Sequence, residues 1–226
     1  MEHHTLNSVI FDLDGTLLDS TTVWSDIDKQ ILRHYGMEAP ADLTEQVKKM
    51  TIMESSQYFI DRFHLPCTQE AFIALVQSLA EDAYRNTLLL KDGVLPLLDL
   101  LDARNIPYCV ATATYPALAE AALKRLHIWE RLAFLTTEQE VGIGKTQPVI
   151  YRQAASRMGC GKRQTVVVED ALHGICAAAK DGFFTVGVYD AAISHEEWGQ
   201  IQQTATVSVQ NLSDFQNAIH TGLIPL

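Results

Sequence analysis

Val9-Ile10-Phe11-Asp12-Leu13-Asp14-Gly15-Thr16-Leu17-Leu18-Asp19-Ser20 is the stretch that decides how the rest of the chain is read. Apolar residues lead into two carboxylates one residue apart, and a glycine follows. The pattern predicts a buried strand ending at Asp12 and a turn at Gly15. In an α/β sheet, ligands bind at the carboxyl ends of the strands, so the two acids stand at the mouth of a crevice. Carboxylates this close repel each other unless something positive lies between them. A divalent cation held by oxygen ligands is the simple remedy. The plainer alternative is a strand that ends in a solvated polar turn.

Beyond Ser20 the pattern becomes helical and stays so. Val23, Ile27 and Ile31 recur at helical spacing up to Tyr35-Gly36, where Gly36 is a stop. Further helices are predicted over 42–49, 53–64 and 68–86, with Ser55, Ser56 and Thr68 near helix starts. With no strand between 21 and 86, this block is an all-α insertion: a cap domain over residues 17–86, set into a core formed by 1–16 and 87–226. After Gly93, helices alternate with strands. Helices are predicted over 94–103, 116–126, 148–158, 171–180, 196–203 and 213–219. Strands are predicted over 106–111, 132–135, 164–168, 183–188 and 207–209. The continuous apolar run Val166-Val167-Val168 predicts burial on both faces. The fold class is α/β, a parallel sheet with right-handed crossovers.

The bulk numbers narrow the function. The 226 residues are 47% hydrophobic and 20% charged, enough apolar residue for a substantial core. The formal charge of −11 lacks the basic footprint of a nucleic-acid binder. An anionic substrate must therefore be met by local positive charge. The four cysteines, Cys67, Cys109, Cys160 and Cys176, form no zinc pattern. Cys109 and Cys176 lie in apolar runs, as buried reduced thiols do. No window reaches transmembrane length, so a cytoplasmic protein without a membrane partner, monomeric or weakly dimeric, is expected.

Four strand ends or loops carry polar residues: Asp12 and Asp14, then Thr112, then Lys145 in Gly142-Ile143-Gly144-Lys145, then Glu169-Asp170. In a parallel sheet these ends share one edge. Together they supply a carboxylate nucleophile, a second carboxylate, a hydroxyl, an ammonium and a pair of metal-binding acids. Such a set can handle a phosphoryl group. Singly, each has an ordinary reading: a structural hydroxyl, a surface lysine, or acids favoured by the start of the following helix. Their order and spacing together point to chemistry.

Asp12-Leu13-Asp14-Gly15-Thr16, Thr112, Lys145 and Glu169-Asp170 resemble the four motifs of the haloacid dehalogenase-like superfamily. The helical insertion after the first motif resembles its capped subgroup, which includes phosphoglycolate phosphatases and β-phosphoglucomutases. The resemblance implies a Rossmann-like core and Mg²⁺-dependent chemistry through an aspartyl-phosphate. It makes Asp12 the nucleophile and a metal ligand, and Asp14 the general acid/base with its backbone carbonyl on the metal. Thr112, Ala113 and Lys145 would hold the substrate's phosphoryl group, and Glu169 and Asp170 would complete the metal site. Lys48 and Lys49, between two cap helices, are the cap's candidates for reaching the substrate; both also read as solvated surface charges. An acid at position 14 favours phosphate chemistry over carbon–halogen cleavage.

The third motif departs from the family's usual form, reading Lys145-Thr146-Gln147-Pro148-Val149. Trp24 stands where many capped members have a histidine, and Asp92-Gly93-Val94 replaces the usual Pro-Gly-Val. The implied function is hydrolysis of a small phosphorylated metabolite. A sugar phosphomutase of the same fold is the nearest alternative, and a non-catalytic binding protein a remote one.

Overall fold

The computed structural model describes residues 6–47 and 49–226, apart from the side chains of residues 21 and 22. The chain opens with β1 (Ser8–Phe11) and passes into four helices, α1 (Thr21–His34), α2 (Leu43–Val47), α3 (Ile52–Phe63) and α4 (Gln69–Asp82). A π-helical turn, Ala83–Thr87, follows directly. Then come α5 (Val94–Ala103), β2 (Tyr108–Thr112), α6 (Pro116–Arg125), β3 (Leu135–Thr137), α7 (Glu138–Val141) and α8 (Val149–Arg157). The chain closes with β4 (Thr165–Glu169), α9 (Leu172–Asp181), β5 (Phe184–Val188), α10 (His195–Thr204), β6 (Val207–Val209) and α11 (Leu212–His220).

The six strands form one parallel sheet in the order β3-β2-β1-β4-β5-β6. This is the doubly wound, Rossmann-like arrangement. The order reverses direction beside β1, so the carboxyl end of β1 lies at the switch point where such sheets bind ligands. Every residue of β1, β2 and β4 is buried, as expected of central strands covered by helices on both faces. Val166, Val167 and Val168 are all completely buried.

The apolar side chains of the helical insertion join those of the sheet in one continuous cluster. Ile27 and Ile31 of α1, Phe59 of α3, and Phe72 and Val76 of α4 are buried together. The Phe59 and Phe72 rings lie 5.1 Å apart. Burying each such side chain contributes about 1.5–3 kcal/mol. The two chain crossings between insertion and core are paired to each other. Asp19 N donates to Leu89 O at 3.0 Å, and Lys91 N donates to Leu17 O at 2.9 Å. Lys91 also reaches back with its ammonium to Gly15 O at 2.7 Å and to Asp190 at 2.6 Å. Gly15, at φ 81°, makes the tight turn between β1 and the first crossing.

Several elements differ from their sequence-based outlines. The helix expected over 68–86 ends at Asp82 and winds on as the π turn. The helix expected over 42–49 is Leu43–Val47 among the described residues, and Lys48 lies outside them. The cap of α3 is Thr51, not Ser55 or Ser56: Thr51 and Glu54 form a reciprocal capping box, which outcompetes hydroxyls one turn further in. The strand expected over 132–135 is instead Leu135–Thr137, leading straight into the unforeseen helix α7. Cys109 is buried as expected, whereas Cys176 is exposed. On α9 the buried face runs through Gly174, Ile175, Ala177 and Ala178, which turns Cys176 outward despite its apolar neighbours. Among the described residues, no helix is long and apolar enough to cross a membrane.

Candidate active site

The candidate residues come together at the carboxyl edge of the sheet. Asp12 follows β1 directly, and its backbone N donates to Val168 O of β4 at 2.9 Å. Thr112 and Glu169 are the last residues of β2 and β4 rather than the first beyond them. Asp170 follows Glu169, and Lys145 arrives from the loop between α7 and α8. Asp12, Asp14, Thr112, Ala113, Lys145, Glu169 and Asp170 all line one cavity of about 330 Å³. Its opposite wall is the helical insertion, through residues such as Trp24, Asp28, Lys49 and Met50. Lys49 thus faces the cavity; Lys48 lies outside the described residues.

The floor of the cavity is an ion network. The Lys145 ammonium donates to Asp12 Oδ1 and, at 2.8 Å, to Glu169 Oε1. Lys145 is 4% exposed and Glu169 1%, so this is a buried interaction. The Tyr151 hydroxyl donates to the same Glu169 oxygen at 2.9 Å, and Ala171 N donates to the other at 3.2 Å. Glu169 therefore spends both oxygens on fixed donors. Gly174 makes room for this: a Cβ there would lie 2.7 Å from Glu169 Oε1 and 2.8 Å from the Tyr151 hydroxyl. The loop carrying Lys145 is itself tethered, because Lys145 N donates to Glu138 Oε1 at 2.6 Å.

Burial shapes the protonation of this floor. It would push the Lys145 ammonium down, but the carboxylates of Asp12 and Glu169 hold it above its ordinary value. Burial alone would raise Glu169, yet Lys145 draws it below the usual range. Burial raises Asp12 well above that range, opposed only in part by Lys145. Asp170 is raised by burial and then by the neighbouring Asp12 and Glu169 carboxylates. One ligand oxygen from each of Asp12, Glu169 and Asp170 can be chosen so that all lie within 4.8 Å of one another. When ionised, Asp12, Glu169 and Asp170, with Asp190 close by, outnumber the ammonium groups of Lys145 and Lys91, and a divalent cation with oxygen ligands would relieve the excess negative charge. The donor set is all oxygen, as a hard cation requires, so the residues present fit a divalent metal.

Asp14 is held differently. Ser20 donates to its Oδ1 and Thr114 to its Oδ2, each at 2.5 Å. The Tyr84 hydroxyl also donates to Oδ1, and Trp24 Nε1 donates to the Tyr84 oxygen at 2.8 Å. Burial and then the Asp14 carboxylate keep the Tyr84 phenol well above its ordinary pKa, so it remains a donor. None of Ser20, Tyr84, Thr114, Glu138 or Tyr151 stands out in the sequence. Thr114 could have been found from the Thr-Ala-Thr run that begins at the last residue of β2. Tyr84 offers no signal, because it sits 70 residues from Asp14 in a turn that helical periodicity does not reveal.

A family model described as haloacid dehalogenase-like hydrolase matches residues 6–182. The chain belongs to the haloacid dehalogenase-like hydrolases, and within them it is a phosphatase. It is 28% identical to a probable pseudouridine-5'-phosphatase of Drosophila melanogaster, over 92% of this chain and 90% of that one. It is 30% identical to a fructose-1-phosphate phosphatase of Escherichia coli, over 80% of this chain and 95% of that one. Its fold superposes on a putative β-phosphoglucomutase from Thermotoga maritima with a TM-score of 0.74. That comparison covers 96% of this chain and 99% of the other, at 22% identity, and speaks for the shared fold alone.

Proposed function

We propose that the protein hydrolyses the phosphate monoester of a small metabolite, with Asp12 as nucleophile, Asp14 as proton carrier and Mg²⁺ as the metal. The observation that carries this reading is the buried Lys145 ammonium shared by Asp12 and Glu169 on a cavity wall that also presents Asp14 and Asp170. Asp12, Asp170 and the backbone carbonyl of Asp14 would hold the metal. When bound, it would draw off negative charge from the phosphoryl oxygens.

In the first step an Asp12 carboxylate oxygen bonds to phosphorus as the P–O bond to the alcohol breaks, and Asp14 gives its proton to the departing oxygen. In the second, water attacks the aspartyl-phosphate and passes a proton to Asp14. The acyl-phosphate bond breaks, freeing inorganic phosphate and the Asp12 carboxylate. Lys145 and the Thr112 hydroxyl bind the phosphoryl oxygens, and Lys145 also screens Asp12 against its neighbours. Glu169, its oxygens spent on Lys145, Tyr151 and Ala171, supports a role in holding the lysine beside the metal-binding acids.

We take residues 17–86 to be a cap that closes over this floor, turning about the paired crossings near Leu17-Leu18 and Leu89–Gly93. The 330 Å³ cavity lies at the small end of the ligand-site range of roughly 300–1,000 Å³, which suits a small leaving group. Among the described residues lining it, the cap contributes a single cation, Lys49, and no arginine. Asp28 faces the cavity from the same side. A mutase must grip a second phosphate; a wall with one lysine and two carboxylates, Asp28 and Glu45, favours hydrolysis instead.

The test is phosphate release from sugar phosphates, polyol phosphates and nucleoside monophosphates, with Mg²⁺ and with excess chelator. Metal-dependent release from at least one alkyl phosphate is expected, with Asp12→Asn keeping less than about a tenth of kcat, a barrier change of roughly 1.4 kcal/mol. Full activity in chelator, or fast isomerisation of β-glucose 1-phosphate with little free phosphate, would contradict it.

A further inference from the structure

Trp24, which departs from the family's habit, has a partner that the catalytic scheme leaves unused. Its indole N–H can only donate, and it donates to the Tyr84 oxygen at 2.8 Å. With that lone pair taken, the Tyr84 hydroxyl turns its own proton to Asp14 Oδ1. The rings of Trp24 and Tyr84 pack at 5.9 Å, so the donor is held in place by the aromatic contact as well.

Tyr84 is in turn placed by an unusual backbone. The π turn Ala83–Thr87 closes with Leu88 N donating to Ala83 O at 2.9 Å. Single π turns are rare and occur often at functional sites. The turn is gripped from the core side: Arg125 of α6 donates through Nε to Tyr84 O at 3.3 Å and through Nη2 to Leu88 O. Tyr84 is completely buried. A phenylalanine would satisfy that burial; the hydroxyl is needed only for Trp24, Asp14 and the more distant Thr114 at 3.4 Å.

We propose that Tyr84 is a positioning residue, holding the Asp14 carboxyl in the orientation from which it transfers its proton, with Trp24 setting the direction of the Tyr84 hydroxyl. The proposal rests on the phosphatase reading above. Ser20, Thr114 and Tyr84 reach Asp14 from three parts of the chain: the crossing after β1, the loop after β2 and the π turn. Three hydroxyls on two oxygens define the plane of the carboxyl group. Without the one supplied by the cap, Asp14 can turn away from the ester oxygen, and general acid catalysis requires it within hydrogen-bond reach.

The experiment compares two esters: the alkyl phosphate that ranks first in the substrate panel, and p-nitrophenyl phosphate. An alkoxide needs a proton to depart, whereas nitrophenolate leaves without one. In Tyr84→Phe, kcat/KM should fall about tenfold or more for the alkyl ester and less than about threefold for the aryl ester. Trp24→Phe should show the same selectivity, with a smaller loss. The indole N–H proton resonance of Trp24 should also shift in Tyr84→Phe, since its acceptor is gone. A role confined to packing the cap would weaken both esters alike. Equal losses, or no loss on the alkyl ester, in variants that keep the wild-type circular dichroism overturn the proposal alone. A wild-type chain inactive on both esters overturns the phosphatase reading and this proposal together. Should Tyr84→Phe not fold, the selectivity of Trp24→Phe decides the matter.

Discussion

The two walls of the cavity are built on different terms. On the sheet side, Asp12, Lys145, Glu169 and Asp170 are nearly inaccessible, and Lys145 and Glu169 are each fixed by several partners. On the helical side, Asp28 has no hydrogen bond or ion pair among the described residues and faces the cavity beside apolar neighbours such as Ile27 and Ile31. A charge network that is preorganised can stabilise a phosphoryl transition state without reorganising during the reaction. Trp24 on the same wall is tied to Tyr84, whereas a carboxylate such as Asp28 can change its contacts from substrate to substrate. On the proposed function, this difference gives the chemistry to the sheet edge and the selection of substrate to the cap. It also predicts which substitutions damage the fold as well as the activity.

Lys145→Ala should have the largest effect. It strands Asp12 and Glu169 as buried carboxylates without their shared cation, and breaking such a pair costs about 3–5 kcal/mol. Thermal unfolding should shift down markedly, and kcat should fall at least about a hundredfold even in the folded fraction. Wild-type stability in this variant would mean that the sheet side is no more committed than the cap.

Asp28→Asn sharpens the contrast through pH. Burial lifts the Asp28 carboxyl to about 7, with Lys29 opposing. An acid whose folded pKa is raised binds its proton more tightly in the native state. Native stability from this group is therefore present below its unfolded value and lost as pH rises through about 7. Asn carries no such burden, so the variant should be more stable than wild type at pH 8. Each tenfold difference in proton affinity between the folded and unfolded chain is worth about 1.4 kcal/mol, so the gain should be one or more kcal/mol. It should vanish near pH 4. Denaturant melts at several pH values read this directly; a pH-independent difference would show that Asp28 is not buried in charged form.

Lys49→Ala should have the smallest effect. Stability should change by less than about 0.5 kcal/mol, as for surface substitutions generally. The change in kcat/KM should differ across the phosphate panel by a few-fold. A uniform loss would place Lys49 with the phosphoryl-binding residues instead.

The sheet side is also the more legible in sequence, for a physical reason. Parallel strands bring their carboxyl ends to one edge, so Asp12, Thr112, Lys145 and Glu169-Asp170 can be brought together once the alternation of strands and helices is recognised. Their supports are not legible. Glu138 holds the Lys145 loop from the first residue of a four-residue helix, too short for any periodicity. Tyr84 depends on a π turn, which continues a helical pattern without a break in the sequence. Thr51-Ile52-Met53-Glu54 spells its capping box openly, but the serines nearer the apolar run compete with it as helix starts. Cys176 shows that an apolar neighbourhood along a helix says little about which face a residue occupies.

On the proposed function, phosphate reaches water by way of Asp12. The stereochemistry at phosphorus tests it most directly. With a substrate chiral at phosphorus, turned over in isotopically labelled water, two successive in-line displacements predict net retention of configuration in the released phosphate. Net inversion would mean a single direct attack by water, with Asp12 never bonded to phosphorus, and would contradict the account.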